Sequence, residues 1–233
     1  KSQALPIVYQ DQWLVVVDKP AGLMVHRSEL SPGVNVFATD IVSRMVGHRV
    51  HPVHRLDRPT SGLLVFALDR ATLKAVSGQF ARREVHKGYR ALGRGFLEHE
   101  GRVGSPLAKA SGSQKKEAIT HWRRLWQIEL PHAVGRYTTA RYSMLELHPK
   151  TGRFHQIRRH MAHLRHPIIG DTSHGDRHHN RFFRENLNLP GLFLWANRLT
   201  LSHPESAQKL ELATKTPDRF ARLESLRCEG RVT

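Results

Sequence analysis

The chain contains 233 residues, and its 39% of hydrophobic residues can build either one large globular domain or two small ones. Lys and Arg number 37 against 20 Asp and Glu, which gives a formal net charge of +17. These cations recur from Arg44 to Arg227 between the apolar segments, so the charge belongs to a folded surface and not to a tail. A basic surface of this kind indicates a polyanionic partner, with nucleic acid favoured over an anionic membrane surface.

The chain has one cysteine, Cys228. It excludes an internal disulfide and a thiolate metal cluster within the chain, and it is typical of a reducing compartment. No apolar run has the length of a membrane span, and the first ten residues lack the apolar core of a signal peptide. We therefore expect a soluble, cytoplasmic protein that has no membrane partner.

The spacing of apolar residues predicts strands and helices in an irregular order. Residues 13–17 end at a Pro-Ala-Gly turn and residues 63–68 are wholly apolar, as is typical of strands, while helical spacing predicts a helix that Gly47 ends and another that follows Asp69. The predicted strands are 13–17, 63–68, 89–93, 118–128, 141–147, 192–196 and 210–212, and the predicted helices are 34–46, 70–80, 155–164 and 217–226. Because strands and helices do not strictly alternate, we expect an α+β fold. No linker separates two cores, so we expect one domain over residues 1–233.

Asp57 is the first candidate for a reactive group. It lies between Arg55 and Arg58, directly ahead of a Pro-Thr-Ser-Gly turn and the predicted strand 63–68. Cationic neighbours favour the ionised carboxylate, which could act as a nucleophile or as a base. The alternative is an aspartate that holds the turn and pairs with a nearby arginine. A charged loop before a central strand is a common place for active-site residues.

The whole loop 54–62, with the sequence HRLDRPTSG, resembles the signature loop of the pseudouridine synthases of the Rlu type, in which HRLD and TSG are separated by two variable residues. Three further segments agree in the order of the family's motifs. Residues 18–22 with His26 are similar to the first motif, 87–91 to the segment with the active-site tyrosine, and 151–160 to the third motif. The resemblance covers essentially the whole chain and implies an α+β fold with a mixed, mainly antiparallel central sheet, flanking helices and a catalytic cleft.

By this resemblance Asp57 is the nucleophile, Tyr89 packs against the target base and could abstract the ribose C2′ proton, and Arg158 forms an ion pair with Asp57. Arg55 could fill the space that a flipped nucleotide leaves. Each role is physically reasonable, because an arginine fork can hold a carboxylate and a tyrosine ring can stack on a base. The further residues predicted to bind the RNA or its base are His54, Thr60, Arg153, His155 and Ile157.

The implied reaction breaks the N1–C1′ bond of a uridine, rotates the detached uracil and joins its C5 to C1′. Either attack of Asp57 on C1′ or proton loss at C2′ could come first. No redox change or group donor takes part, so no cofactor is expected, and the chain lacks the GxxxxGK[ST] and GxGxxG phosphate loops. Because a base inside a helix is out of reach, we expect base flipping, with affinity from the basic surface. The Gly-, Ser- and Lys-rich segment 101–116 is predicted to be a mobile basic loop that could order on RNA.

Two groups of side chains have competing interpretations. A metal could be held by histidines at helical or close spacing, but no cysteine or paired carboxylate completes a site, and we expect no metal. These histidines are His160, His163, His166, His174, His178 and His179. Trp122, Trp126 and Trp195 could stack on bases, yet tryptophans in apolar runs are more often core residues.

Residues 134–142 and parts of 164–181 resemble the members of the family that modify uridine 65 of tRNA. The expected absence of an N-terminal S4-type RNA-binding domain also suits these members of the family. We expect the protein to be a monomer. Trp195, placed before Ala196 where relatives often have histidine, and Ala140 depart from the pattern, so rRNA or another tRNA uridine stays an alternative substrate. A non-catalytic RNA-binding protein or chaperone is the alternative from another class. A nuclease or glycosylase would release a product, whereas isomerisation would not.

Overall fold

The computed structural model describes residues 4–27, 33, 35–109 and 112–229. Its strands are β1 (Ile7–Gln10), β2 (Leu14–Lys19), β3 (His51–Pro52), β4 (Ser61–Ala67), β5 (His86–Arg94), β6 (Glu100–Val103), β7 (Thr120–Leu130), β8 (Ala140–Pro149), β9 (Leu194–Ser202) and β10 (Lys209–Ala213). Its helices are α1 (Ala38–Val46), α2 (Arg70–Ala81), α3 (Gln156–His163), α4 (Arg177–Glu185) and α5 (Asp218–Glu229). The chain divides into two compact units, the first made of residues 1–87 and 196–214 and the second of residues 88–195 and 215–233. This division into compact units does not test whether they form one domain, so the single domain expected from the sequence stays a prediction.

The first unit is built on strongly buried strands. β1 pairs with β2, β2 and β3 pair with β4, and β9 pairs with β10, and all these pairs are antiparallel. All seven residues of β4 are buried, because both faces of the strand are covered, and the continuous apolar run in its sequence reflects this. The end of α1 and the start of α2 are confirmed: Gly47, with φ of 81°, ends α1, and Asp69 caps α2 by accepting a hydrogen bond from Thr72 N at 2.8 Å. The predicted start of α1 at residue 34 is wrong, because the helix begins at Ala38.

The second unit contains an antiparallel sheet with the strand order β5-β8-β7-β6. Side chains of this sheet share one buried cluster with residues of α3, α4 and α5. Phe183 of α4, for example, packs edge to face against Tyr142 of β8 at 5.0 Å and against Phe193 at 5.5 Å between ring centroids. Helix α3, which carries the third motif, is fixed to this core by Ile157 and Met161.

The predicted α+β class, with mainly antiparallel strand pairing and flanking helices, is confirmed. Every predicted strand and helix overlaps an observed one, but the sequence did not predict β1, β3, β6 or α4. Helix α4 was missed because Phe182 and Phe183 are its only large apolar residues. A signal was available in Asp176, which caps the helix by accepting hydrogen bonds from His178 N at 2.9 Å and His179 N at 3.4 Å.

The predicted mobile loop at 101–116 is wrong for residues 101–103 and stays a prediction for most of the remaining segment, of which residues 110 and 111 lie outside the described part of the chain. Its first residues belong to β6, which pairs with β7 so that Gly101 lies opposite Trp122, and the Trp122 ring packs over the glycine. Further along, Leu107 and Lys116 exchange two backbone hydrogen bonds of 2.9 and 3.0 Å. Backbone pairing holds these residues although the segment has few apolar side chains. Composition alone does not reveal such pairing.

The core interpretation of the tryptophans is confirmed for two of the three. Trp126 and Trp195 are buried, and the indole N–H of Trp126 donates a hydrogen bond of 3.0 Å to Glu224 Oε1. Trp195 packs against Phe220, with 5.4 Å between the ring centroids. Both rings therefore face the protein interior, where a base could not stack on them.

Candidate active site

The loop that carries Asp57 is tied to the chain's first motif by hydrogen bonds. Gly22 N donates to Arg58 O at 2.8 Å, and Arg58 Nε donates back to Gly22 O at 3.0 Å. Lys19 is fully buried, and its Nζ donates to two carbonyls of the turn 20–23 at 2.9 and 2.8 Å and to Arg58 O at 3.3 Å. A buried ammonium group needs such partners. Lys19, for which no role was predicted, therefore fixes the backbone next to Asp57.

Asp57 itself is half-buried, and its carbonyl accepts a hydrogen bond from Thr60 N at 3.0 Å, which closes the turn that the sequence predicts. The hydroxyls of Thr60 and Ser61 are buried and have no hydrogen-bond partner within the described part of the chain. Arg55 is exposed beside a shallow pocket. The pocket is lined by Met24, Val25, His26, Arg55, Leu56 and Arg58. The loop thus presents cations and polar groups around Asp57, as an anionic substrate requires.

His54, predicted to bind the RNA or its base, makes structural contacts. Its Nε2 accepts a hydrogen bond from Val65 N at 3.2 Å, and its ring stacks on Phe80 with centroids 5.0 Å apart and an interplanar angle of 22°. Burial, followed by the positive charge of Lys87, lowers the pKa of His54 to about 4. The ring is therefore neutral at physiological pH, as an acceptor of the Val65 N–H must be.

The low pKa of His54 predicts an acid-sensitive fold. The unfolded chain takes up this proton near pH 6.5, but the folded chain does so only near pH 4. Lowering the pH through this window should therefore reduce the free energy of unfolding by up to about 1.4 kcal/mol per pH unit. Denaturant titrations should show that the free energy of unfolding falls less between pH 7 and pH 5 in His54→Gln than in the wild type. His48→Gln, which changes an exposed histidine, should lose as much as the wild type; equal slopes for all three proteins would contradict the prediction.

Gly62, the last residue of the signature loop, cannot be replaced without moving the backbone. Its φ is +117°, and a Cβ at this position would lie 2.1 Å from Ala196 O. We expect Gly62→Ala to lower the free energy of unfolding by about 2 to 5 kcal/mol, since a left-handed backbone and an overpacked contact both cost energy. Gly47→Ala is the matched control, because its φ is +81° but a Cβ would meet nothing within 4 Å. Urea denaturation should show a clearly larger loss for Gly62→Ala than for Gly47→Ala, and similar losses would mean that the close contact with Ala196 relaxes at little cost.

In the second unit the candidate residues lie on a strand and around the start of α3. Tyr89 is half-buried on β5, opposite Leu147 of β8. Arg153 donates from Nε to Glu117 O at 3.0 Å. Ile157 is 6% exposed and belongs to the hydrophobic core of this unit. Its side chain therefore stabilises α3, and its predicted contact with the base stays a prediction.

Arg158 is held by a buried carboxylate that the sequence did not single out. Its Nε donates to Asp171 Oδ2 at 2.8 Å and its Nη2 to Asp171 Oδ1 at 2.7 Å, and the two side chains are 3% and 0% exposed. Asp171 Oδ1 also accepts hydrogen bonds from Ser173 N at 2.9 Å and His174 N at 3.0 Å. Burial alone would raise the pKa of Asp171, but these hydrogen bonds outweigh it and lower the pKa. The bonds to Asp171 do not use Nη1 of Arg158, and the predicted ion pair between Arg158 and Asp57 stays a prediction.

Four of the six histidines that suggested a metal site make side-chain hydrogen bonds with protein groups. His160 contacts Thr120 Oγ1 and Ser105 O at 2.9 Å each, His166 contacts Arg94 O at 2.7 Å, His179 contacts Tyr142 Oη at 2.9 Å, and His174 contacts His155 at 3.0 Å. Among the described residues, no group of three or more His, Cys, Asp or Glu side chains is arranged to hold a metal ion. Within the described part of the chain, no helix is long and apolar enough to cross a bilayer.

The candidate residues thus fall into two sets, each gathered by its own unit. The first unit places His54, Arg55, Asp57 and Thr60 on one loop, and the second holds Tyr89, Arg153, His155, Ile157 and Arg158. Residues 13–163 match the family model described as RNA pseudouridylate synthase, and this range contains all nine residues. The chain belongs to the RNA pseudouridylate synthase family, and it is an RNA-modifying enzyme of that class. The resemblance seen in the motifs is confirmed.

Relatives whose name is more specific than that of the family match most of the chain. A tRNA pseudouridine synthase C of Vibrio vulnificus is 47% identical over 88% of this chain and 88% of its own length, and that of Yersinia pestis is 42% identical over 91% and 86%. Among solved structures, human RNA pseudouridylate synthase domain containing 4 superposes with a TM-score of 0.73 at 26% identity, covering 95% of this chain and 93% of its own. Human RNA pseudouridylate synthase domain containing 1 superposes with a TM-score of 0.72 at 26% identity, covering 93% of this chain and 85% of its own.

Proposed function

We propose that this enzyme isomerises uridine 65 of tRNA to pseudouridine. The observation that carries the tRNA substrate is the set of relatives named tRNA pseudouridine synthase C, of which two are 47% and 48% identical over 88% of the chain. The position in tRNA rests on the resemblance of residues 134–142 and parts of 164–181 to enzymes that modify uridine 65. We further propose that the enzyme acts as a cytoplasmic monomer without a cofactor.

The reaction is an exchange of one glycosidic bond for another. The N1–C1′ bond of the uridine breaks, the uracil rotates while it stays in the pocket, and C5 bonds to C1′. The proton that C5 loses is balanced by the one that N1 gains, so the RNA keeps its length and mass. In one route the carboxylate of Asp57 attacks C1′ as N1 leaves, and C5 later displaces it from C1′. In the other route Tyr89 takes the C2′ proton as N1 leaves and returns it to C2′ when C5 bonds to C1′.

The positions of the candidate residues support these roles. Asp57 lies in the sequence between two exposed arginines, Arg55 and Arg58, so the loop carries the carboxylate among cations. Arg158 is proposed to pair with Asp57 during the reaction, and its bidentate contact with Asp171 fixes the orientation of the guanidinium group. Tyr89 is proposed to stack on the target base, and the exposed Arg55 to fill the gap left by the flipped nucleotide.

RNA binding is proposed to come from the basic surface and from polar groups of the two motif loops. The charge of +17 favours phosphate contacts, so affinity should fall steeply with salt. Thr60 is proposed to bind the RNA or its base, and because its hydroxyl is buried, such a bond would require the loop to shift. Arg153 and His155 flank the turn before α3 and are proposed to contact the RNA there.

The test uses the wild-type protein and unmodified tRNA transcripts, with no cofactor or metal added. Pseudouridine is mapped by carbodiimide-dependent stops in primer extension, on a transcript with uridine 65 and on one with cytidine at that position. We expect one new stop at position 65 in the first transcript and none in the second. A stop elsewhere in tRNA or in rRNA would keep the chemistry and overturn the position. Shortened RNA or released base would indicate a nuclease or glycosylase, and no change at all would favour the non-catalytic RNA-binding alternative.

A further inference from the structure

The turn before α3 carries an exposed aromatic ring that no proposed role uses. Phe154 is 41% exposed, although large apolar side chains are mostly buried in this protein. Its ring lies on the ring of His155, with centroids 3.8 Å apart and an interplanar angle of 20°. One face of the phenyl ring is thus covered by a parallel imidazole, which leaves the opposite face for a second planar group.

The two-ring stack is held rigidly from both sides. His155 has a φ of +50°, a left-handed conformation at the start of α3, and its Nδ1 makes a hydrogen bond of 3.0 Å with His174 Nε2. The turn ahead of Phe154 is fixed by Gln156, whose Oε1 accepts hydrogen bonds from Thr151 Oγ1 at 2.6 Å and from Arg153 N at 3.0 Å. A ring fixed in this way loses little conformational entropy when it binds a partner.

We propose that Phe154 is a stacking platform for a base of the substrate RNA, one that flanks the target uridine and is not the target itself. The proposal rests on the function proposed above, and it adds a binding site that the catalytic residues do not include. The platform belongs to the same motif as Arg158, which is four residues further along the chain and is held by Asp171. Asp171 also accepts a hydrogen bond from the backbone of His174, so one network supports both the platform and Arg158.

A base fits this surface better than a second copy of the chain does. Two copies would each bring a formal charge of +17, and this repulsion opposes association through one exposed ring. An RNA strand brings negative charge together with planar bases, and stacking on an aromatic side chain contributes about 1 to 3 kcal/mol per base. The ring has no hydrogen-bonding group, so we expect it to accept any base rather than to read a sequence.

The test measures kcat and KM on the unmodified tRNA transcript for Phe154→Ala, Phe154→Leu and Phe154→Trp. We expect the alanine variant to raise KM about tenfold or more, as the loss of one stacked base implies, with kcat changed less than about twofold. Tryptophan should restore the wild-type KM because it keeps a planar ring, whereas leucine, which keeps only apolar bulk, should behave like alanine. A wild-type KM in Phe154→Ala, or full activity of Phe154→Leu at low RNA concentration, would overturn the proposal.

Controls separate this outcome from others. Ile7→Ala removes another exposed apolar side chain, on β1, and it should leave KM unchanged. If the wild type forms no pseudouridine on any RNA, the proposed function fails, but filter binding of the transcript to wild type and Phe154→Ala still tests the platform. Equal affinities there would overturn it. A wild-type dimer that Phe154→Ala converts to a monomer would also overturn it, because the ring would then bind a second copy.

Discussion

Asp57→Asn is expected to abolish pseudouridine formation while leaving RNA binding almost intact. The change keeps the size of the side chain but removes the charged oxygen that is proposed to attack C1′ of the ribose. Loss of a nucleophile typically costs turnover on the order of 10⁴-fold or more. The affinity for tRNA should change by less than about twofold, since the many phosphate contacts of the basic surface supply it. Single-turnover assays with excess enzyme measure the first quantity, and filter binding at fixed salt measures the second.

The matched control for Asp57 is Asp40, an exposed carboxylate in the first turn of α1 in the same unit. Asp40→Asn removes the same negative charge from the surface and should turn over at the wild-type rate. Asp57→Ala should agree with Asp57→Asn, which checks that the asparagine does not act by a residual polar contact. Turnover within tenfold of the wild type in both Asp57 variants would remove Asp57 from the mechanism and leave the alternative of an aspartate that holds a turn.

Local patterns predicted most of the elements, and their success has a physical reason. The strands β2 and β4 are buried on both faces, so their apolar runs stand out in the sequence. Helix α1 ends at Gly47 because a left-handed residue is needed there, and glycine is the usual choice. Helix α4 has no apolar run and no terminal glycine, because Phe182 and Phe183 are its only large apolar residues and polar or charged residues fill the rest.

The candidate site shows the limit of sequence reasoning more sharply. The motif residues could be named from the chain because they lie close together along it. Asp171 could not, since its partner Arg158 is 13 residues away and their contact depends on how α3 and the following loop pack. The contacts of His54 with Val65 and Phe80 also depend on the folded unit, and its predicted contact with the RNA or its base stays a prediction. A motif therefore identifies which residues matter but not which of them touch the substrate.

Asp171→Asn is expected to lower both stability and turnover, because it removes the buried carboxylate charge that holds the guanidinium of Arg158 through two hydrogen bonds. Breaking a buried ion pair in this way costs about 3 to 5 kcal/mol. For a chain of this length that corresponds to a fall in Tm of about 10 °C. Turnover should also fall, since the proposed pairing of Arg158 with Asp57 needs a fixed guanidinium, while KM should change little. Thermal unfolding and steady-state kinetics on the tRNA transcript measure these effects.

The ion pair between Arg94 and Asp176 offers a matched control for this prediction. Asp176 also pairs with an arginine and accepts two backbone hydrogen bonds, but its side chain is 20% exposed and its arginine has no proposed part in the reaction. Asp176→Asn should therefore destabilise less and keep the wild-type kcat. The double variant Arg158→Met with Asp171→Leu removes both buried charges, so we expect it to regain part of the stability but none of the turnover. If Asp171→Asn unfolds at the wild-type temperature and keeps the wild-type kcat, Asp171 neither stabilises Arg158 nor positions it, and the orientation of the guanidinium must come from other contacts.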